Sequence, residues 1–254
     1  MSQRYFLQLS YKGTSYHGWQ IQPNAISVQE VIEDALSKIL REKVAVVGAG
    51  RTDTGVHASY FILHFDASKP ISPELDLVYK LNSFLPSDFA IQQFWPVSSE
   101  AHARFDARSR TYHYFISTEK NPFATETSYK YLKPLDVDQM NQAAQTLFEY
   151  TDFTSFSRLH TDVKTNNCKI MQAEWMIEEQ QLKFVIKADR FLRNMVRAVV
   201  GTLLEVGQGK ISVQQFREII EKKNRGEAGA SAPAQGLFLV DIEYPDEYGI
   251  KSNA

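Results

Sequence analysis

Residues 48–58, GAGRTDTGVHA, combine glycines with an arginine and an aspartate at a spacing that could serve chemistry. Two glycines precede Arg51, Thr52 and Asp53, and Gly55 follows them. Glycine-rich loops often hold phosphates, but a carboxylate repels phosphates. An ionised aspartate in such a loop suits a nucleophile or a general base, and a flanking arginine such as Arg51 would keep it ionised.

The loop fits neither of the two common nucleotide-binding motifs. A P-loop needs a glycine where Ala45 stands, five residues before Gly50. A dinucleotide fingerprint needs a glycine at Asp53 and a helix directly after the loop, whereas the residues that follow have the pattern of a strand. The sequence therefore argues against a phosphate-binding role for these glycines.

A metal site in this segment is also poorly supported. Asp53, His57 and His64 lie close together in the sequence, but no second group of ligands, no HExxH motif and no cysteine pair accompanies them. We therefore expect His57 to be a structural histidine that is hydrogen-bonded to the backbone. A purely structural alternative remains open for Asp53, because Asp and Gly are common turn residues.

Composition indicates a folded protein with local basic regions. The chain has 254 residues, of which 43% are hydrophobic, and this suits one large domain or two smaller ones. The formal net charge is −2, yet residues 104–110 carry three arginines against one acid, and residues 187–197 carry four basic residues against one acid. This distribution favours a basic binding groove on an otherwise acidic surface.

Targeting and redox features are missing from the sequence. The first residues, MSQRYFLQLS, show no charged segment followed by an apolar run, so we expect no secretory signal. Arg197 interrupts the longest apolar stretch, residues 195–206, which predicts no membrane span. Cys168 is the single cysteine, so neither an internal disulfide nor a cysteine-rich zinc site is expected. The sequence predicts a soluble cytoplasmic protein.

The elements that must position the loop alternate between strands and helices. Ser27 and Glu30 have the spacing of a capping box at the start of the first helix. Apolar periodicity predicts strands at 4–11, 44–47, 59–65 and 89–97 and helices at 27–40 and 73–84. The order β-α-β-β-α-β is that of a ferredoxin-like unit.

The second half of the chain has a similar pattern. Strands are predicted at 110–117, 168–177, 181–188 and 236–244, and helices at 136–149, 190–206 and 212–223. On the helix 190–206, Arg190, Arg193 and Arg197 would form one stripe. The pattern predicts an α+β fold of two related halves, 1–105 and 106–254, whose sheets share an interface.

The motifs resemble those of one protein family. RTDTGVHA resembles the RTD-x-GVHA signature of the TruA-type tRNA pseudouridine synthases, and the resemblance covers nearly the whole chain. Lys12 and Thr54 depart from it, since the family usually has Asp and Ala there. Further similar segments follow in the family's order: YKGTSYHGWQIQP, SVQEVIEDAL, LNSFLPSD, HARFDARSRTYHY, DFTSF, FLRNMVRAVVGTLLEVG and APAQGLFLVDIEY.

The resemblance implies an enzyme that breaks the glycosidic bond of a uridine in tRNA, rotates the uracil and rejoins it through carbon 5, with no cofactor. It implies that Asp53 is the essential carboxylate and that Arg197 pairs with it. It also implies that Tyr112 stacks on the uracil and helps to remove the carbon 5 proton. Tyr114 lies on the same face of the predicted strand, and only the motif alignment favours Tyr112 over it.

The resemblance also implies how RNA is bound. Arg51 would hold the nucleotide after it leaves its stack. The other expected RNA contacts bind phosphates and set position rather than sequence: Arg104, Arg108, Arg110, Lys187, Arg190 and Arg193. The family further implies a homodimer with tRNA lying across both subunits and uridines 38 to 40 of the anticodon stem-loop as targets. It implies two ferredoxin-like (RRM-like) halves whose antiparallel sheets join across a central active-site cleft.

Two other functions remain compatible with the sequence. One is a non-catalytic RNA-binding protein of the same fold, which the presence of Arg51, Asp53, Tyr112 and Arg197 disfavours. The other is a nucleoside hydrolase that uses Asp53 on small substrates. Such an enzyme would need no long basic surface, so its affinity for tRNA would be no higher than for a nucleoside.

Overall fold

A computed structural model describes residues 2–158, 165–179 and 181–250. The described chain is a mixed α+β fold with a large, mostly antiparallel sheet and five α-helices, which confirms the predicted α+β class. It divides into two compact units, one formed by Met1–Arg108 with Leu239–Ala254 and the other by Ser109–Phe238.

The elements follow the predicted order. The strands are β1 (Gln3–Tyr11), β2 (Val46–Gly48), β3 (His57–Ala67), β4 (Phe89–Val97), β5 (Ser109–Ser117), β6 (Tyr129–Lys130), β7 (Ile170–Glu178), β8 (Gln181–Ala188) and β9 (Leu237–Glu243). The α-helices are α1 (Val28–Leu40), α2 (Leu77–Phe84), α3 (Val137–Thr146), α4 (Met195–Gly207) and α5 (Val213–Glu221). Most predicted strands agree with these bounds within two residues.

The first unit places its strands in the order β4-β1-β3-β9, and β2 also pairs with β3. β1 lies antiparallel to both β3 and β4, and β2 lies antiparallel to β3. α1 begins after Ser27, whose hydroxyl accepts a hydrogen bond of 3.2 Å from the backbone N–H of Glu30. Its buried side chains recur at helical spacing and cover the sheet: Val28, Ile32, Ala35 and Leu36.

The helix predicted at 73–84 is broken into two pieces. A 3₁₀ turn, Pro73–Leu75, precedes α2, and Asp76 between them has left-handed backbone angles (φ 44°, ψ 62°). Asp76 also caps α2, because its carboxylate accepts a hydrogen bond from the backbone N–H of Tyr79. A residue that ends one turn and caps the next prevents a continuous helix.

The second unit has the strand order β5-β8-β7, and each strand in this order is antiparallel to its neighbour. The short β6 pairs with β5 in parallel. α4 is its central helix, since 11 of its 13 residues are buried. A helix that is apolar on nearly every side belongs in a core. Gly201 of α4 lets another segment pack closely, because a Cβ there would lie 1.8 Å from the carbonyl oxygen of Ala230.

The start of α4 differs from the prediction, which placed it at residue 190. Asn194 adopts a left-handed conformation (φ 65°, ψ 4°), and its side-chain amide donates to Ser231 Oγ at 2.6 Å. The helix therefore begins only at Met195. The predicted helical stripe is wrong, because Arg190 and Arg193 precede the helix and only Arg197 lies on it.

Candidate active site

The loop that carries Asp53 connects β2 to β3 and spans residues 49–56. The backbone N–H of Val56 donates to the carbonyl of Asp53 at 3.1 Å, which closes a tight turn. Gly55 occupies the third position of that turn with φ 77°, a conformation that favours glycine. Asp53 is half-buried, so its side chain retains contact with solvent.

A second segment, residues 13–19, braces this loop on both sides of Asp53. The backbone N–H of Trp19 donates to the carbonyl of Thr52 at 3.1 Å, and the N–H of Gly55 donates to the carbonyl of Tyr16 at 3.3 Å. The hydroxyls of Thr52 and Tyr11 share a buried hydrogen bond of 2.9 Å. The residue before Asp53 and the second residue after it are thus both fixed.

Two glycines permit this close approach. A Cβ at Gly13 would lie 2.0 Å from the carbonyl oxygen of Val56, and a Cβ at Gly18 would lie 2.6 Å from that of Thr52. Gly18 also has φ 86°, which a residue with a side chain rarely adopts. Gly50, within the loop itself, is different, because a Cβ there would meet no atom within 4 Å. The glycines that place Asp53 therefore lie largely outside its own loop.

His57 has the structural role expected from the sequence. Its side chain is 1% exposed, and its Nδ1 accepts a hydrogen bond of 3.0 Å from the backbone N–H of Gly13. His57 therefore secures the bracing segment to the first residue of β3.

The second unit carries the two candidate tyrosines on β5, and their side chains have different partners. Tyr114 is fully buried, and its hydroxyl donates to the carbonyl of Pro233 at 2.8 Å. Burial raises the pKa of Tyr114, while the nearby Arg197 guanidinium opposes that rise. Tyr112 is 9% exposed, and its ring meets the ring of Phe191 edge to face at 5.1 Å. The bond to Pro233 assigns Tyr114 to the core.

Arg197 is held in the first turn of α4. Its Nε donates to the carbonyl of Ala232 at 2.7 Å, and the backbone N–H of Ala232 donates to the carbonyl of Arg197 at 2.9 Å. The side chain is half-buried. A carboxylate at Arg197 would therefore be bound end-on through Nη1 and Nη2, because Nε is already engaged.

The remaining candidate RNA contacts fall into two groups. Arg51, Arg104 and Arg108 of the first unit are exposed. In the second unit Arg193 is exposed, whereas three others are half-buried: Arg110, Lys187 and Arg190. Arg110 donates through Nη1 to the carbonyl of Asp189 at 3.0 Å. Thr111 pairs with Lys187 across β5 and β8, so Lys187 lies beside the strand that carries Tyr112.

The sequence did not identify the brace. YKGTSYHGWQ resembles a segment of the family, but the sequence predicts no role for Gly13, Gly18 or Trp19. Glycines that contact a distant segment leave no periodic signal, since their partners are set by tertiary packing. The sequence offers one indication, which is the pair of glycines, Gly13 and Gly18, close to Tyr16 and Trp19.

No described helix is long and apolar enough to cross a membrane. Within residues 2–158, 165–179 and 181–250, no group of three or more His, Cys, Asp or Glu side chains could hold a metal ion. Cys168 is buried, and burial raises the pKa of its thiol to about 12, so it is a poor nucleophile.

Comparison with known proteins identifies the family. A family model described as tRNA pseudouridine synthase matches residues 9–106 and 143–245. The protein named tRNA pseudouridine synthase A of Bacteroides fragilis is 58% identical over 247 residues, covering 96% of this chain and 98% of that protein. Proteins of the same name from Parabacteroides distasonis and Bacteroides thetaiotaomicron are 56% and 55% identical, each over 96% of this chain, and they are covered to 97% and 92%. The chain therefore belongs to the tRNA pseudouridine synthase family.

Proposed function

We propose that this protein converts uridine to pseudouridine at positions 38 to 40 of the tRNA anticodon stem-loop, with Asp53 as the essential carboxylate. The match to tRNA pseudouridine synthases supports the reaction, and the double brace of the Asp53 loop by Tyr16 and Trp19 supports Asp53 as its carboxylate. A side chain on a backbone fixed at both ends reaches its substrate without reordering. A half-buried carboxylate there can meet RNA while the loop stays in place.

The reaction needs no outside reactant. The bond from uracil N1 to the ribose C1′ breaks, a bond from carbon 5 to C1′ forms, carbon 5 loses its proton and N1 gains one. No electron is transferred to or from another molecule. Asp53 either attacks the sugar or the base, or it takes a proton from the sugar, and each role requires an ionised carboxylate at a fixed position.

Tyr112 and Arg197 are proposed to complete the catalytic set. Tyr112 would stack on the extruded uracil, and its oxygen would help to remove the carbon 5 proton. Its ring is oriented by Phe191, and the neighbouring Tyr114 is engaged elsewhere. Arg197 would hold the catalytic carboxylate end-on, since its Nε bonds to Ala232.

RNA is proposed to be held chiefly through phosphates. Arg51 would help to hold the extruded nucleotide after it leaves its stack. Phosphate contacts are proposed for Arg104, Arg108, Arg110, Lys187, Arg190 and Arg193. When these arginines neutralise phosphates of the RNA, the cations condensed on those phosphates are released, so affinity for tRNA should fall as the salt concentration rises.

The proposed architecture has two ferredoxin-like halves, 1–105 and 106–254, with antiparallel sheets joined across an active-site cleft. The strand order β4-β1-β3 with β2 on β3, together with the chain order β-α-β-β-α-β, supports this for the first half. We further propose a homodimer that binds tRNA across both subunits and acts in the cytoplasm, where tRNA is modified.

Tritium release tests the function directly. The substrate is a tRNA transcript carrying uridine labelled at carbon 5, and the control is the same transcript with cytidine at positions 38 to 40. We expect release from the first transcript alone and none from free labelled uridine. Release from both transcripts would contradict the proposed site, and tight binding without release would identify a non-catalytic RNA-binding protein. Cleavage of free uridine to uracil would identify a nucleoside hydrolase.

A further inference from the structure

The segment at residues 101–108 is an irregular loop with an unusually constrained backbone. Asp106 accepts a hydrogen bond of 2.6 Å from the backbone N–H of His102, and the N–H of Asp106 donates back to the carbonyl of His102 at 3.1 Å. His102 Nδ1 accepts hydrogen bonds of 3.2 Å from the backbone N–H groups of both Arg104 and Phe105. The loop therefore holds its own shape.

Three side chains of the first unit also hold this loop in place. His64 Nδ1 accepts a hydrogen bond of 3.1 Å from the backbone N–H of Ala103, and the hydroxyl of Tyr244 donates to the carbonyl of Ala103. The hydroxyl of Tyr248 donates to Asp106 at 2.7 Å. Contacts of this number predict a loop with little freedom to move.

Phe105 stands on this rigid loop with 74% of its surface exposed. Its ring lies against the ring of His102, with the ring centres 4.2 Å apart and the planes 30° apart. Burial lowers the pKa of His102, which keeps its ring uncharged at neutral pH. The two rings form a small aromatic surface, and we call His102 and Phe105 the aromatic platform.

Basic side chains lie beside the platform. The Arg104 guanidinium is 5.7 Å from the centre of the Phe105 ring, within the range of a cation–π contact but beyond close stacking distance. Arg108 is also exposed, whereas Ala101 and Ala103 are buried. The exposed apolar surface of the loop is thus one ring wide and flanked by positive charge. A single base next to its phosphates matches this surface better than a protein, which would need a wider apolar patch.

We propose that the aromatic platform stacks one unpaired base of the tRNA substrate while Arg104 and Arg108 bind the phosphates beside it. This inference rests on the proposed function, since it requires RNA as the ligand. Stacking on an aromatic ring accepts any base, so the platform would recognise that a base is unpaired rather than which base it is.

Binding measurements with two RNAs test the platform. The probes are an unmodified tRNA transcript and an RNA duplex of equal length with no unpaired base. For Phe105→Leu we expect tRNA binding to weaken by about 5- to 150-fold, the loss that corresponds to one stacked base. Duplex binding should stay unchanged, and Phe105→Trp should restore tRNA binding. Phe123→Leu, at a residue that is 94% exposed in the second unit, is the matched control and should change neither affinity.

The salt dependence separates stacking from charge. Phe105→Leu should leave the slope of log affinity against log salt unchanged, whereas Arg104→Ala should reduce it by about one for tRNA. Equal tRNA affinity of Phe105→Leu and the parent, or equal losses on tRNA and duplex, would overturn the platform. In that case, tritium release by the parent protein would show that the proposed function stands without the platform. Tight, Phe105-dependent tRNA binding without tritium release would instead keep the platform and remove the enzymatic proposal.

Discussion

Asp53 and Arg197 are positioned by different means. Asp53 lies in an irregular loop whose backbone is hydrogen-bonded to Tyr16 and Trp19, and this approach requires glycine at distant positions. Arg197 lies on a regular, buried helix and is oriented by one side-chain bond to Ala232. The first arrangement depends on the absence of side-chain atoms, and the second depends on one guanidinium nitrogen.

This difference sets how each region should respond to substitution. In the Asp53 loop, adding a single methyl group to a bracing glycine should displace the backbone and with it the carboxylate. On β5 and at Arg197 the backbone is secured by regular hydrogen bonding, so at Tyr112 and Arg197 the loss of a functional atom should matter most. Substitutions in the two units should therefore change activity and stability in different ways.

Apart from the loss of Asp53 itself, the largest effect is expected at Tyr112. Tyr112→Phe keeps the ring for stacking but removes the oxygen, so kcat should fall about 10²- to 10⁴-fold with KM little changed. Tyr114→Phe is the matched control. It leaves the Pro233 carbonyl without its donor, so the free energy of unfolding should drop by about 1–3 kcal/mol while kcat is kept. Tritium release and urea unfolding measure the two quantities, and the reverse pattern would mean that Tyr114 is the catalytic tyrosine.

A smaller loss of kcat is expected at Gly13. In Gly13→Ala the new methyl group collides with the Val56 carbonyl, and a displacement of the loop by about 1 Å can cost about 10²-fold in kcat. The free energy of unfolding should also fall by about 1–3 kcal/mol. Gly50→Ala meets open space and should retain kcat and stability within about 0.5 kcal/mol. Full activity of Gly13→Ala would show that the brace does not position Asp53.

The smallest effect is a pH dependence of stability in the first unit. Burial, followed by the charge of Arg4, lowers the pKa of His64 to about 4. The unfolded histidine takes up a proton near pH 6.5, whereas folded His64 does so only near pH 4. The stability of the folded state relative to the unfolded state is therefore unaffected by His64 titration above about pH 6.5 and decreases as the pH falls from there towards 4. We expect a loss of about 2 kcal/mol between pH 7 and pH 4.5, measured by urea unfolding. His64→Asn keeps an acceptor for the Ala103 N–H without titrating, and an equally steep loss in that variant would exclude His64 as the cause.

The sequence predicted what depends on local chemistry and periodicity. β1, β4 and β8 follow from alternating apolar residues, and α1 follows from the Ser27 cap and its apolar face. The interruptions at Asp76 and Asn194 were not predicted. Each depends on one residue in a left-handed conformation, and that of Asn194 is stabilised by a bond to Ser231, 37 residues away.

The same limit applies to the candidate site. Asp53, Tyr112 and Arg197 were predicted from their match to the motifs of the family, and their roles stay predictions. The contacts of Gly13 and Gly18 with residues 52–56, and the bond of Tyr114 to Pro233, join segments far apart in the chain. Only the folded backbone brings such partners together, so composition and spacing could not indicate them.

We propose Asp53 as the catalytic carboxylate, and a single-turnover assay isolates that role from RNA binding. Asp53→Asn and the parent are mixed in excess with tRNA labelled at carbon 5 of uridine, at concentrations that saturate binding for both proteins. Asp34→Asn, which removes an exposed carboxylate from α1, controls for the loss of charge. We predict tritium release by the parent and by Asp34→Asn, and none by Asp53→Asn. Release by Asp53→Asn at the parental rate would contradict the claim.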